Sequence, residues 1–149
     1  MDQQIFKIEK KIIVATENRS LGEQVSGSLD DMGWHIQVKT SIMDVIEKIR
    51  LNILDIVFVE KGFGGSEGKD PVIDEIIALP PAMRRKMLVV LLGDQWQSQD
   101  KKIAFSHSVD LVVNTKDIDR LKEIISMKLV EHSTSYKSFE QSYHELGKT

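Results

Sequence analysis

A chain of 149 residues, 41% of them hydrophobic, is long enough to bury one substantial core and too short for two ordinary domains. Its formal charge of −3 provides no clustered excess of Lys and Arg for a phosphate backbone, so nucleic-acid binding by the domain is not expected. Without cysteine, a disulfide framework, a thiolate zinc site and a cysteine nucleophile are all ruled out. The opening MDQQIFKIEKK lacks the apolar stretch of a signal peptide, and no later run approaches the ~18 apolar residues of a spanning helix. Neither export nor membrane insertion is expected, and the cytoplasm is the expected location.

Short β-rich runs alternate with helical patterns along the chain. Ile12-Ile13-Val14-Ala15 reads as a first strand. Leu21, Val25, Leu29 and Met32 then recur at helical spacing up to Gly33, a residue suited to a helix C-terminus. Trp34, Ile36 and Val38 alternate with polar residues, as in a strand near a sheet edge. Ser41 is placed to cap a second helix bearing Ile42, Val45, Ile46 and Ile49. Ile56-Val57-Phe58-Val59 has no polar alternation and reads as a strand buried on both faces.

After a glycine-rich loop, Asp70 and Pro71 read as N-cap and first residue of a helix through Ile77 that stops before Pro80-Pro81. Met87 to Leu92 is a second central strand, Ser98 to His107 a weaker helix, and Leu111-Val112-Val113 a fifth strand. Asp117 is placed to cap a last helix through Ile118, Leu121, Ile125 and Leu129. Five β-then-α units require right-handed crossovers and hence a parallel sheet. The expected fold is α/β, a doubly wound five-stranded parallel sheet of the flavodoxin-like type, order 2-1-3-4-5, in three layers. Functional residues in such sheets lie at the carboxyl ends of the strands: Thr16-Glu17-Asn18, Glu60 to Gly65, Gly93-Asp94 and Asn114-Thr115.

These strand ends, over roughly residues 11 to 130, resemble the receiver domains of two-component response regulators. Their first strand leads into an acidic pair; KIIVATEN puts Thr16 and Glu17 there. Their third strand ends in the aspartate that accepts phosphate; DIVFVE puts Glu60 there. The fourth ends in Thr or Ser and a small residue, matched by Leu92 and Gly93 in VVLLGD. The fifth ends in Lys-Pro after an aromatic, matched by Asn114, Thr115 and Leu111 in VDLVVNTKD. The resemblance therefore implies a degenerate receiver whose phosphorylation-site positions are Thr16, Glu17, Glu60, Leu92 and Asn114.

Phosphoryl transfer to a carboxylate needs a divalent cation held by several oxygens, and fixed donors that neutralise the transferred group. Glu17, Glu60 and a carbonyl would supply three oxygens, leaving most of an octahedral shell to water, so no metal site is expected although these two are the candidates. Leu92 has no hydrogen to donate, and neutral Asn114 does not replace an ammonium. Read as plain chemistry, Glu17 and Glu60 are solvated carboxylates, Leu92 is core and Asn114 satisfies backbone groups in a turn. The loop GFGGSEGKD matches neither a Walker A nor a dinucleotide fingerprint, because Phe63, Glu67 and Asp70 stand at required positions. The histidines lack metal-ligand spacing, and no nucleophile, base and acid converge; no cofactor and no catalytic residue are expected.

Residues 1–10 read as an extension, 11–132 as the receiver-like domain, and 133–149 as a helical or flexible tail. Ile5, Phe6 and Ile8 in the extension, and Tyr136, Phe139, Tyr143 and Leu146 in the tail, form apolar groups. The tail four share one helical face and either pack on the domain or meet a protein partner or second copy. Two functions follow: a non-phosphorylatable pseudo-receiver acting as a protein–protein interaction module in bacterial signalling, or a module holding a small ligand or metal in its cleft. A third, residual phosphotransfer on Glu60, is the weakest fit.

Overall fold

The computed structural model describes residues 10–66 and 68–132. The readings of Ile5, Phe6, Ile8, Tyr136, Phe139, Tyr143 and Leu146 lie outside those residues. Five strands, β1 (Lys11–Ala15), β2 (His35–Lys39), β3 (Ile56–Glu60), β4 (Leu88–Gly93) and β5 (Leu111–Asn114), pair in the order β2-β1-β3-β4-β5. All four pairings are parallel, as the β-then-α alternation requires. The helices are α1 (Arg19–Ser28), α2 (Ile42–Arg50), α3 (Pro71–Ile77), α4 (Pro81–Arg84), α5 (Lys101–Ser106) and α6 (121–132). Two 3-10 turns, Asp30–Met32 and Thr115–Arg120, extend α1 and lead into α6.

Side chains alternate across the pleat, so each central strand feeds two cores. Ile13, Val57, Val59, Val89 and Leu91 face α2, α3 and α5 and are buried among Val45, Ile49, Ile73 and Ile76. Ile12, Val14, Phe58, Val90 and Leu92 face the other way, against Leu21 and Val25 of α1 and Leu121, Ile125 and Leu129 of α6. β2, at the edge, is half exposed, as its alternation indicates.

Several capping expectations are corrected. Asp70 precedes Pro71 but makes no cap; its carboxylate instead accepts from the Gly62 amide at 2.7 Å and pairs with the Lys61 ammonium. Asp117 lies inside the Thr115–Arg120 turn, and the side chain that caps that turn is Asn114, accepting from the Lys116 amide at 2.9 Å. Ser98 is in the loop before α5, which starts at Lys101 and is capped by Asp100. Ser41 occupies the N-cap position of α2 without a side-chain bond. For Asp70 a charged group and a remote backbone amide compete better than the helix's own amides, whereas the Asp117 carboxylate accepts from the Ser98 hydroxyl. The first helical pattern, which runs to Met32, breaks after Ser28 into a 3-10 turn; α3 ends at Ile77, ahead of Pro80-Pro81 as expected, and Pro81 opens a separate short α4.

α1 meets β2 through Gly22: a Cβ there would stand 2.6 Å from one Val38 methyl and 2.9 Å from the other. Alanine would gain about 1 kcal/mol of helix propensity but incur an overpacking cost of about 1–3 kcal/mol. Gly22→Ala is therefore expected to lower stability in urea denaturation, and Gly22→Ala/Val38→Ala to be more stable than Gly22→Ala alone.

Lys122 of α6 pairs with Asp31 of the turn after α1. This hydrogen bond holds the Asp31 carboxyl below its ordinary value of 3.8. A carboxyl depressed in the folded state stabilises at neutral pH and loses that contribution as pH falls through its lowered value. Acid titration of the melting temperature should therefore be shallower for Lys122→Met than for the parent, by a small margin because both groups are exposed.

Candidate functional site

The parallel register determines which strand ends meet. Ala15 pairs with Val59, and Glu60 with Leu92, so the next residue after β1, Thr16, stands beside Glu60. Gly93 pairs with Asn114 on the far side. Thr16 is fully buried, and its backbone amide donates to the Lys39 carbonyl at 3.2 Å.

The Thr16 hydroxyl donates to Glu60 Oε1 at 2.7 Å and accepts from the Asn18 amide at 2.9 Å. Its single hydrogen goes to the carboxylate; the Asn18 carbonyl, at 3.4 Å, is the more distant acceptor. Asn18 in turn caps α1, accepting from the Leu21 amide at 3.2 Å. A charge-assisted bond thus ties the end of β3 to the start of α1. Glu17, next to Thr16, is exposed and is not among the residues lining the cleft beside Glu60.

Leu92 is fully buried in the core on the α1 side. Its side chain offers no hydrogen-bond donor to the strand ends, and its carbonyl accepts from the Lys61 amide at 2.8 Å. Both polar ends of the Asn114 amide are engaged: its Nδ2 donates to the Trp96 carbonyl at 2.7 Å, while its Oδ1 caps the following turn. Among the described residues, no group of three or more His, Asp or Glu is arranged to hold a metal ion.

The loop after β4 is fastened to β5 by residues that the sequence reading did not single out. Trp96 is buried, its Nε1 donates to the Val113 carbonyl at 3.2 Å, and its ring lies tilted 5.5 Å from that of His107. The ring lies so close over Gly93 that a Cβ there would stand 2.6 Å from it. Ser98 donates to Asp117 Oδ2 at 2.5 Å and accepts from the Asn114 amide at 2.8 Å. The one signal in the sequence is a glycine at a strand end with tryptophan three residues on.

The glycine-rich loop after β3 uses its glycines for backbone shape: Gly62, Gly64 and Gly68 have φ of 85, 70 and 75°. What remains open above the strand ends is a cleft of about 400 Å³ lined by Asn18, Glu60, Lys61, Leu92, Asp94 and Gln95, among others. A larger, shallower groove of about 680 Å³ runs between α1 and residues 115–123, away from Glu60.

No family model matches the chain, and no curated protein matches it. Solved structures do. A signal receiver domain from Vibrio parahaemolyticus superposes with a TM-score of 0.68 at 13% identity, over 87% of this chain and 97% of that one. The orphan response regulator HP1043 of H. pylori gives 0.60 at 17% identity, over 80% and 96%. A two-component response regulator from Clostridium difficile gives 0.59 at 18% identity, over 80% and 95%. The chain has the fold of a response-regulator receiver domain.

If the Thr16 hydroxyl and Glu60 act as a pair, Thr16→Val, which keeps the shape and removes the donor, should cost about 1.5–3 kcal/mol. In a double-mutant cycle with Glu60→Ala, the two should couple by about 0.5–3 kcal/mol. Additive effects would contradict the bond's contribution.

Proposed function

We propose that this chain is a non-phosphorylatable pseudo-receiver: a non-enzymatic, cytoplasmic interaction module in bacterial signalling or regulation that contacts protein partners and neither nucleic acid nor membrane. The observation that carries this reading is the occupation of Glu60 by the Thr16 hydroxyl at 2.7 Å. Where a receiver's first acidic residue would help hold a cation, this chain supplies a hydrogen-bond donor to the neighbouring carboxylate. Thr16, Glu17, Glu60, Leu92 and Asn114 are then the degenerate positions of a lost phosphorylation site.

Two further observations support it. Transfer needs fixed positive or hydrogen-bonding groups around the phosphoryl oxygens, and burial of Leu92 in the core and binding of Asn114 to the Trp96 carbonyl leave neither position to provide one. The second reading, a small-ligand or metal module, draws on the cleft of about 400 Å³ beside Glu60. Its volume falls in the range of small-molecule sites, but such sites are mostly apolar and enclosed, whereas polar side chains dominate this lining. No helix among the described residues is long and apolar enough to cross a membrane.

Incubation with acetyl phosphate and magnesium should leave the intact mass unchanged. A stable gain of one phosphoryl group that disappears in Glu60→Gln would overturn the pseudo-receiver reading. Magnesium should raise the melting temperature by less than a degree at millimolar concentration, since roughly two carboxylates leave most of its shell to water. A shift with magnesium or a nucleotide that Glu60→Ala abolishes would favour the second reading.

A further inference from the structure

The two edges of the sheet are finished differently. At β5 the outward carbonyl of Val113 is taken by the Trp96 indole at 3.2 Å, and the loop that carries this tryptophan is bonded along the strand at Val112 and Asn114. At the other edge β2 pairs with β1 alone. The His35 amide donates to the Lys10 carbonyl at 2.9 Å, and the Lys39 carbonyl accepts from the Thr16 amide at 3.2 Å. In a parallel ladder alternate residues direct their backbone groups to opposite sides. His35, Gln37 and Lys39 therefore face β1, while the amides and carbonyls of Ile36 and Val38 face outward. Among the described residues none of these outward groups has a hydrogen-bond partner. α1 covers one face of β2 and α2 approaches the other, and the edge lies between them.

β2 also lacks the devices that keep an edge strand from pairing. It is as long as β1, its register against β1 runs unbroken from His35 to Lys39, and it contains no proline. Its one lysine or arginine, Lys39, is the last residue. Ile36 and Val38 are only partly buried against the core on the α1 side, so each keeps apolar surface for a neighbour. We propose that β2 pairs antiparallel with β2 of a second copy of this chain, about a two-fold axis through Gln37, and joins the two sheets into one.

The strand is complementary to itself in that register. With Gln37 opposite the partner's Gln37, Ile36 exchanges both of its backbone hydrogen bonds with the partner's Val38, and Val38 with the partner's Ile36. All 5 residues of the strand are then matched, whereas an axis through Ile36 or Val38 leaves part of it unpaired. Ile36 and the partner's Val38 meet on the α1 side of the joined sheet, where the β-branched pair extends the core already there. Lys39 stands opposite the partner's His35. The two Lys39 residues are about 14 Å apart at ~3.4 Å per residue, beyond the Debye length of about 8 Å at physiological salt. The axis makes the contact isologous and closed, and this self-match selects a second copy over an unrelated strand.

This contact deepens the reading of the domain as an interaction module, and the two fail separately: a chain inert to acetyl phosphate but monomeric would overturn the edge contact alone. Sedimentation equilibrium of the intact chain should give a mass rising from one protomer toward two between roughly 10 µM and 1 mM, as befits a small interface. Ile36→Pro removes an amide that β1 does not use, a position where an edge strand tolerates proline, and its ring obstructs the partner strand. That variant should stay at one protomer over the same range. Register is read by oxidative cross-linking, since the chain has no cysteine of its own. The two Gln37 residues form a non-hydrogen-bonded pair with Cα atoms about 4.5 Å apart, within disulfide reach, whereas the two Lys39 residues are not. Gln37→Cys should therefore link roughly ten-fold more than Lys39→Cys on mild oxidation. A single-protomer mass throughout would overturn the proposal, whether the edge stays bare or another part of the chain covers it. An Ile36→Pro chain that still doubles its mass would place the interface elsewhere, and Lys39→Cys linking as readily as Gln37→Cys would overturn the register.

Discussion

Burial of the sheet on both faces is the constraint on which the rest of this structure depends. β1, β3 and β4 are covered by helices on either side, so apart from their ends their residues must be apolar whichever way they point. Val57, Phe58, Val59, Val90, Leu91 and Leu92 are all within 1% of full burial. Polar chemistry is thereby confined to the residues just past the strands, where backbone groups are no longer consumed by the ladder. Each strand-end side chain acts through neighbours that the register selects.

At that rim, small changes of side chain redirect the chemistry. A hydroxyl at Thr16 makes the end of β1 a donor to Glu60; a second carboxylate there would repel it unless a cation intervened. Leu92 extends the core by one residue to the strand's end, and Trp96 closes over Gly93. Asn114 satisfies two backbone groups with its amide, which a lysine could not do, having no acceptor. Together these side chains hold the strand ends by neutral and charge-assisted hydrogen bonds.

The sheet was legible in the sequence because uninterrupted apolar runs such as Ile56 to Val59 and Met87 to Leu92 have few other interpretations, and the β-then-α alternation leaves one hand of connection. Strand and helix ends were less so. Asp70 before Pro71 carries the pattern of an N-cap, but Lys61 and the Gly62 amide, eight or nine residues back, hold it instead. Thr16 and Glu60 were each visible as strand-end residues, yet the bond between them spans 44 positions and exists only through the register of β1 on β3. Trp96 gave no local signal beyond its spacing from Gly93, since a lone aromatic in a polar loop reads equally as surface.

The fastening of residues 94–100 to β5 also determines how this loop comes apart. Ser98 and Trp96 tie it to the backbone of Asn114 and Val113, and the Gln99 amide donates to the Val112 carbonyl at 2.8 Å. A loop held in this way has no inexpensive excursion of its own and opens with the sheet as one cooperative unit. The Gln99 and Asn114 amides should therefore exchange with deuterium together, at the rate at which the sheet edge opens, and not at the rate of a freely moving loop.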